Sequence, residues 1–215
     1  MILDLLRTNI DAILERITIS HLERYCYLQT RLMDTDVSSD EEYQRKFNGF
    51  YKMGRRGTEW YENYFGLLKD EKRNLCITFE QVLRSIYNEF TEKGRVEPSF
   101  ASKLVATIRP DEMPIYDKYV RQNLDVRMPG QWKAAEVRLE GCILKYAELE
   151  KEIKRLISEP IFTNELRPAF DRKRPAFAHI SDVKKLDFLL WQHREVQKAT
   201  DLQPCSAGAH GVVLA

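Results

Sequence analysis

The chain has 215 residues and a formal net charge of +1, and 43% of its residues are hydrophobic while 31% are charged. This composition is sufficient for one folded domain, and it excludes a wholly disordered chain. Nine Gly and eight Pro are too few for collagen-like or low-complexity architectures. The balanced charge excludes a protein that is basic overall, but it leaves room for a local basic face.

The sequence has no run of 18 apolar residues and no basic segment followed by an apolar leader. Its cysteines, Cys26, Cys76, Cys142 and Cys205, are widely spaced and form no C-x-x-C pair. These features predict a cytoplasmic protein that has reduced thiols and no membrane contact, and they leave the oligomeric state open.

The first part of the chain has the three-and-four spacing of amphipathic helices. The predicted helices are 2–17, 20–32, 40–53 and 57–70. Ser39 or Asp40 is the expected N-cap of the third helix. The fourth is rich in aromatic residues, and Trp60 and Tyr64 share one of its faces. Core packing is the simpler interpretation of this face, and a base-stacking platform is the alternative.

The second part continues with helical patterns and contains no alternating strand pattern or internal repeat. The predicted helices run from Thr78 to Gly94, from Pro98 or Ser99 to Ile108, from Asp117 to Leu124, from Gln131 to Ser158, and onward from a cap at Ser181. A loop is expected around Pro160, Pro168 and Pro175. The sequence thus predicts a single all-α domain over residues 1–196, with a flexible tail at 197–215.

The segment from about 76 to 124 is the part of the chain that points to chemistry. A helix–loop–helix there is followed by a second short helix, with Lys103 in Ala-Ser-Lys-Leu and Asp117 in Pro-Ile-Tyr-Asp, 14 residues later. The helical spacing puts Lys103 at a boundary position, where a solvated lysine is common. Aspartate at the start of a helix is also favoured simply as an N-cap. Both residues therefore have an ordinary structural interpretation beside a catalytic one.

The order of these elements resembles that of the helix-hairpin-helix DNA glycosylase superfamily. The resemblance implies an all-α fold with a helix-hairpin-helix core and two helical lobes that flank a cleft. It also implies that Lys103 and Asp117 occupy the catalytic positions. The family hairpin normally contains Gly-x-Gly, whereas this chain has only Gly94, accompanied by Glu92 and Glu97. The resemblance implies no cofactor here, because the iron–sulfur cluster of some relatives needs four clustered cysteines.

The glycosylase chemistry explains why these residue types would be needed. A carboxylate stabilises the oxocarbenium character that develops at C1′, and a lysine of lowered pKa can attack C1′ and form a Schiff base. The extruded base needs an aromatic pocket. The candidate pocket residues are Trp60, Tyr64, Tyr116 and Trp191. The candidate DNA-binding residues are Lys52, Arg55, Arg56, Lys93, Arg95, Lys118 and Arg121.

These observations predict a protein that recognises lesions in double-stranded DNA and cleaves the N-glycosidic bond, as a DNA glycosylase or a glycosylase/lyase, with Asp117 and Lys103 as catalytic residues. The alternative is a non-catalytic helical scaffold that keeps a glycosylase-like fold. Near-zero net charge and the missing Gly-x-Gly favour the scaffold, whereas the spacing from Lys103 to Asp117 favours the enzyme. The four histidines have no metal-ligand spacing, so no metal site is predicted.

Overall fold

The computed structural model describes residues 2–90, 95–127, 129–130 and 133–201, with side chains described through His193. Within these ranges the chain forms eleven α-helices and no β-strand, which confirms the all-α prediction. The helices are α1 Ile2–Thr8, α2 Ile10–Arg16, α3 Ile19–Asp34, α4 Glu41–Tyr51, α5 Thr58–Glu71, α6 Phe79–Ser85, α7 Pro98–Ile108, α8 Lys118–Asn123, α9 Ala135–Ser158, α10 Arg167–Lys173 and α11 Asp182–Asp201.

Several predicted helix starts are confirmed by their capping hydrogen bonds. Asp40, rather than Ser39, caps α4 by accepting a hydrogen bond from the backbone N–H of Tyr43. Thr78 and Gln81 form the reciprocal capping box at α6. The hydroxyl of Ser181 accepts a hydrogen bond from the backbone N–H of Lys184 at the start of α11. These polar side chains satisfy backbone donors that a helix leaves without intrahelical partners.

The structure divides the predicted helix over 2–17 into α1 and α2, so the prediction of one continuous helix was wrong. Asn9 stands at the break with a backbone outside the helical region. Its side-chain amide donates to the carbonyl of Leu5 at 2.8 Å, which offers the backbone an alternative to continued helix.

The loop predicted around the three prolines is largely helical, which corrects that prediction. A π-helical turn, Phe162–Leu166, leads directly into α10, and a 3₁₀ turn covers Pro175–Phe177. Pro168 closely follows this π-helical turn, and proline lacks the N–H group that a regular α-helix would use at that position. The prolines therefore led to a loop being predicted where the chain is helical.

Helix α11 is the central element of the fold, because it packs against α1, α2, α8, α9 and α10. Helix α6 packs against α7 and α9, and α3 packs against α4. The buried hydrophobic side chains, from Leu3 to Leu190, form a single cluster. This cluster runs through the region expected to fold as one domain.

Helix α7 is enclosed on nearly every side. Of its eleven residues, all but Ser99 are buried, and they include Ser102, Lys103 and Thr107. A helix that is apolar around its whole circumference belongs in the interior of a protein. The polar residues of α7 are thus buried because the apolar residues around them on the helix pack into the core.

Helix α11 continues to Asp201, so part of the predicted tail over 197–215 is helical backbone, and 202–215 lie outside the described residues. The hairpin residues 91–94, Gln131 and Trp132 also lie outside them. Among the helices that are described, none combines the length and the apolar character needed to cross a bilayer.

Candidate functional site

A pocket with a cavity volume of about 50 Å³ opens between α3, α4, α7, α8 and α11. Its walls are mainly aromatic and come from His21, Phe50, Phe188 and Trp191. Its polar groups are Lys52, Lys103, Asp117, Lys184 and Asp187. A largely apolar cavity with a few convergent polar side chains is typical of a small-ligand site.

Lys103 reaches this pocket from α7 and is only 8% exposed. Its Nζ lies 5.3 Å from the centre of the Phe100 ring. Burial lowers the pKa of Lys103 to about 8, although the charges of Asp117 and Glu97 oppose this shift. A buried amine with a pKa near neutrality is available as a nucleophile, because a substantial fraction is uncharged.

Asp117 lies at the N-cap of α8, as predicted, and it also lines the pocket. Its Oδ1 accepts hydrogen bonds from the backbone N–H groups of Tyr119 and Val120, both at 2.8 Å. Among the described residues no hydrogen bond is made to Oδ2. The structural and catalytic interpretations of Asp117 are therefore compatible, since one oxygen caps the helix and the other is available to a ligand.

A second charged pair, on α11, was not predicted from the sequence. Lys184 is 0% and Asp187 3% exposed. Lys184 Nζ donates to Asp187 Oδ2 at 3.0 Å, and the backbone N–H of Ile115 donates to the same oxygen at 3.3 Å. Burial raises the pKa of Asp187 to about 6, and the charge of Lys184 acts against this shift. Lysine and aspartate three residues apart are common on solvated helix faces, so spacing alone gave no signal.

His21 is held in an aromatic stack at the pocket wall. Its ring lies 4.8 Å from that of Phe50 and 5.7 Å from that of Trp191, stacked on both. Burial lowers the pKa of His21 to about 4, and the charges of Arg24 and Lys52 act in the same direction. The imidazole is therefore neutral at physiological pH and serves as part of the aromatic wall.

Only one of the four aromatic residues expected in a base pocket, Trp191, lines this one. Trp60 and Tyr64 stack on each other and pack against Phe100 in the core. Tyr116 is 1% exposed and packs against Phe79 and Tyr146. All three side chains pack in the core. For Trp60 and Tyr64, core packing was the simpler of the two interpretations of the sequence. Phe50, Phe188 and His21 complete the aromatic wall in their place.

Six of the seven expected DNA-binding residues lie in the part of the chain that the structure describes, and they differ in their relation to the pocket. Lys52 is exposed and lines the pocket, in the left-handed backbone conformation that ends α4. Arg55 and Lys118 are exposed, and Lys118 directly follows Asp117. The guanidinium of Arg121 lies 5.2 Å from the centre of the Tyr116 ring.

Two of the remaining arginines are already engaged by a carboxylate. Arg56 and Arg95 each donate to Glu97 Oε1 at 2.7 Å. The Glu97 side chain is 12% exposed, so this cluster is partly buried. Lys93 lies outside the described residues. Of the expected basic surface, Lys52 lines the pocket, Lys118 follows the pocket residue Asp117, Arg55 is exposed, and Arg121 lies over an aromatic ring.

Comparison with protein-family models, with curated proteins and with solved structures gives no match for this chain. Within the described residues, no group of three or more His, Cys, Asp or Glu side chains could hold a metal ion. Any functional conclusion therefore depends on the geometry and charge of the pocket.

Proposed function

We propose that this protein is a helix-hairpin-helix glycosylase-like enzyme that recognises a lesion in duplex DNA and cleaves its N-glycosidic bond through an amine nucleophile. The observation that carries the proposal is that Lys103 and Asp117 line one pocket, with the Lys103 amine buried and its pKa lowered to about 8. Perturbed ionisable groups in a cleft are a mark of functional sites.

The covalent step uses the uncharged amine of Lys103. Its Nζ attacks C1′ of the nucleotide, the C1′–N bond breaks, and the base leaves with the bonding electron pair and takes up a proton. Opening of the sugar ring then breaks the C1′–O4′ bond and gives a protonated Schiff base, with O4′ taking a proton to become a hydroxyl. Asp117 stabilises the positive charge that develops at C1′.

The aromatic wall supports the binding of a planar base. A base in duplex DNA must leave the stack before its glycosidic bond is accessible, and an apolar, aromatic pocket recovers part of the lost stacking. Phe188 and Trp191 supply such a surface beside Lys103 and Asp117. Lys52 at the wall and Lys118 beside Asp117 are suitably placed to contact the flanking phosphates.

A helix-hairpin-helix core flanked by two helical lobes is part of the same proposal. The order α6, connecting segment, α7, extended segment and α8 is what a helix-hairpin-helix core with its catalytic aspartate would require. The two flanking lobes and the cleft between them are proposed on the resemblance and on the position of the pocket. Gly94 and its hairpin neighbours lie outside the described residues.

The decisive experiment exposes the full chain to labelled duplexes that contain uracil, oxidised guanine, alkylated adenine, an abasic site or no lesion. Sodium borohydride is added to reduce any Schiff base to a stable crosslink. We expect base release from at least one lesion and a crosslink to the abasic duplex. Lys103→Ala should abolish the crosslink, and Asp117→Asn should abolish base release. Lys145→Ala, on the surface of α9, is the matched control and should behave as wild type.

A non-catalytic scaffold is the second candidate, and one observation favours it. Glu97 neutralises Arg56 and Arg95, which reduces the positive charge available for DNA. Absence of base release and of crosslinking on every duplex, without preference for the abasic duplex over undamaged DNA, would support the scaffold.

A further inference from the structure

The amine of Lys103 is unpaired, and it is not sealed from solvent. Lys103 lines the pocket, and its Nζ makes no hydrogen bond or ion pair with any of the described residues. Some side-chain nitrogens of this chain have neither solvent contact nor a partner, as at Trp60, but Lys103 Nζ is not one of them. Because the pocket is the opening that Lys103 lines, a small molecule bound there can reach the amine.

The size and the walls of the pocket favour a single flat ring. One water position needs about 10–15 Å³ of cavity volume, so a cavity of about 50 Å³ has room for roughly four waters or for one six-membered ring. Phe50, Phe188 and Trp191 supply flat apolar surfaces around this space. A ring that packs against aromatic side chains gains stabilisation beyond its buried area alone.

The charges of the pocket favour a ligand that carries an acidic group. Lys52, Lys103 and Lys184 line it together with Asp117 and Asp187. Lys184 is paired with Asp187 at 3.0 Å, whereas Lys52 is exposed and forms no ion pair within the described part of the chain. A pocket that has one lysine more than it has aspartates attracts an anion, since its apolar walls concentrate the field.

We propose that this pocket also binds a free aromatic aldehyde, with one ring and an acidic substituent, as a reversible imine on Lys103 that forms without DNA. The inference uses the pocket and the amine of the proposed function. It goes beyond that function, because neither a lesion nor a nucleotide takes part.

Imine formation uses only the amine, the aldehyde and groups of the pocket. The uncharged Lys103 Nζ attacks the aldehyde carbon, the carbonyl π bond breaks, and the oxygen takes up one amine proton to become a hydroxyl. The C–O bond then breaks, the C=N bond forms, and the hydroxyl leaves as water with the second amine proton. Asp117 lines the same pocket and its charge acts on Lys103, so its carboxylate can move these protons between nitrogen and oxygen.

Reductive trapping of three aldehydes tests the ligand class. The full chain is incubated at pH 7.5 with sodium cyanoborohydride and either 4-formylbenzoate, benzaldehyde or succinic semialdehyde, which has the acidic group but no ring. Peptide mapping gives the ratio of labelling at Lys103 to labelling at Lys151, an exposed lysine of α9, so the intrinsic reactivity of each aldehyde cancels. With 4-formylbenzoate this ratio should be at least about tenfold larger than with succinic semialdehyde. Equal ratios, or no labelling of Lys103, would overturn the proposal.

Lys52→Gln tests the acidic substituent at an exposed position, where the substitution leaves the core unchanged. The ratio for 4-formylbenzoate should fall to about that for benzaldehyde, and the ratio for benzaldehyde should stay as in wild type. Lys145→Gln, on the surface of α9, is the matched control and should alter neither ratio. A Lys52→Gln protein with the wild-type ratio for 4-formylbenzoate would contradict the acidic substituent.

Crosslinking to abasic DNA separates this proposal from the proposed function. Crosslinking through Lys103 without preference for the aromatic aldehyde would leave the proposed function standing and overturn the aldehyde site. Selective labelling of Lys103 by 4-formylbenzoate, without crosslinking or base release on any duplex, would support the aldehyde site and refute the proposed function.

Discussion

The hydroxyl of Ser102 accepts a hydrogen bond from the backbone N–H of Tyr116 at 2.9 Å, in the buried core. Ser102 precedes Lys103 in α7, and Tyr116 precedes Asp117 at the start of α8. This one bond therefore ties together the two segments that carry the amine and the carboxylate. It is one of the contacts that hold residues 14 apart in the sequence at the same pocket.

Replacing Ser102 by alanine should separate these two segments. The Tyr116 N–H would be left buried without an acceptor, which costs about 1–3 kcal/mol of the free energy of unfolding. We also expect at least a tenfold loss of any crosslinking rate, since Asp117 would shift relative to Lys103. Urea unfolding followed by circular dichroism measures the first effect. Ser158→Ala, at an exposed site on α9, should change the free energy of unfolding by less than about 0.5 kcal/mol.

The rate of crosslinking should depend on pH with a midpoint near 8. Burial lowers the pKa of Lys103 to about 8, so the reactive uncharged amine increases as the pH rises through that value. An ordinary lysine would give a rate that is still rising at pH 10. Initial crosslinking rates on abasic duplex between pH 6 and 9.5 test this. A profile without a plateau by pH 9.5 would show that another amine reacts.

The contribution of Lys103 to the free energy of unfolding should increase as the pH rises. Its pKa in the folded state is lowered, so between pH 8 and 10 the unfolded chain binds more protons and stability rises with pH. Lys103→Met removes this titration and fills similar volume. The free energy of unfolding of wild type minus that of Lys103→Met should therefore increase by about 1–2 kcal/mol across this interval. A constant difference would mean that the amine is solvated.

Neutral His21 should contribute no pH dependence to the fluorescence of Trp191 between pH 5 and 8. Burial lowers the pKa of His21 to about 4, so imidazole predominates next to the indole in this interval. An imidazolium quenches a stacked indole. Asp187, with a pKa raised to about 6 in the same pocket, titrates in wild type and in His21→Gln alike, so the difference in fluorescence between the two proteins should be flat. A change in that difference centred near pH 6.5 would place His21 in solvent.

Glu97→Gln should increase the affinity for undamaged DNA. The substitution weakens the two ion pairs that hold Arg56 and Arg95 and makes both guanidinium groups available to phosphates. The slope of log K against log salt should become steeper by about 1–2. Fluorescence anisotropy with a labelled duplex at several salt concentrations measures this. Glu148→Gln on α9, where Glu148 pairs only locally with Lys145, should leave the slope unchanged.

The sequence allowed most of the helices and the N-cap position of Asp117 to be predicted, because capping residues act through local hydrogen bonds. Burial was harder to predict. Lys103 was expected at a boundary, yet α7 lies in the interior, since its apolar residues surround the helix rather than forming a stripe. Lys184 and Asp187 were missed for the same reason. Val183, Leu186, Phe188, Leu189 and Leu190 leave residues 183–190 of α11 without a polar face, and that pattern was the available signal.

The aromatic predictions show a second limit of sequence reasoning. Trp60 and Tyr64 were candidates because they share a helix face, but a shared face does not say whether a cavity or the core lies opposite. Tyr64 donates to the Phe100 carbonyl at 3.0 Å, a contact between residues far apart in the chain. Such contacts depend on tertiary packing, and no local pattern encodes them.

The enclosure of α7 has a consequence for how this pocket could change during evolution or engineering. The amine of Lys103 is carried by a helix whose neighbours nearly all contact the core, so few substitutions there would be tolerated. His21, Lys52 and Trp191 are partly or fully exposed at the opposite walls. Substitutions that reshape the pocket are therefore better accommodated at these walls, while the Lys103 amine remains fixed by the same packing that keeps the protein folded.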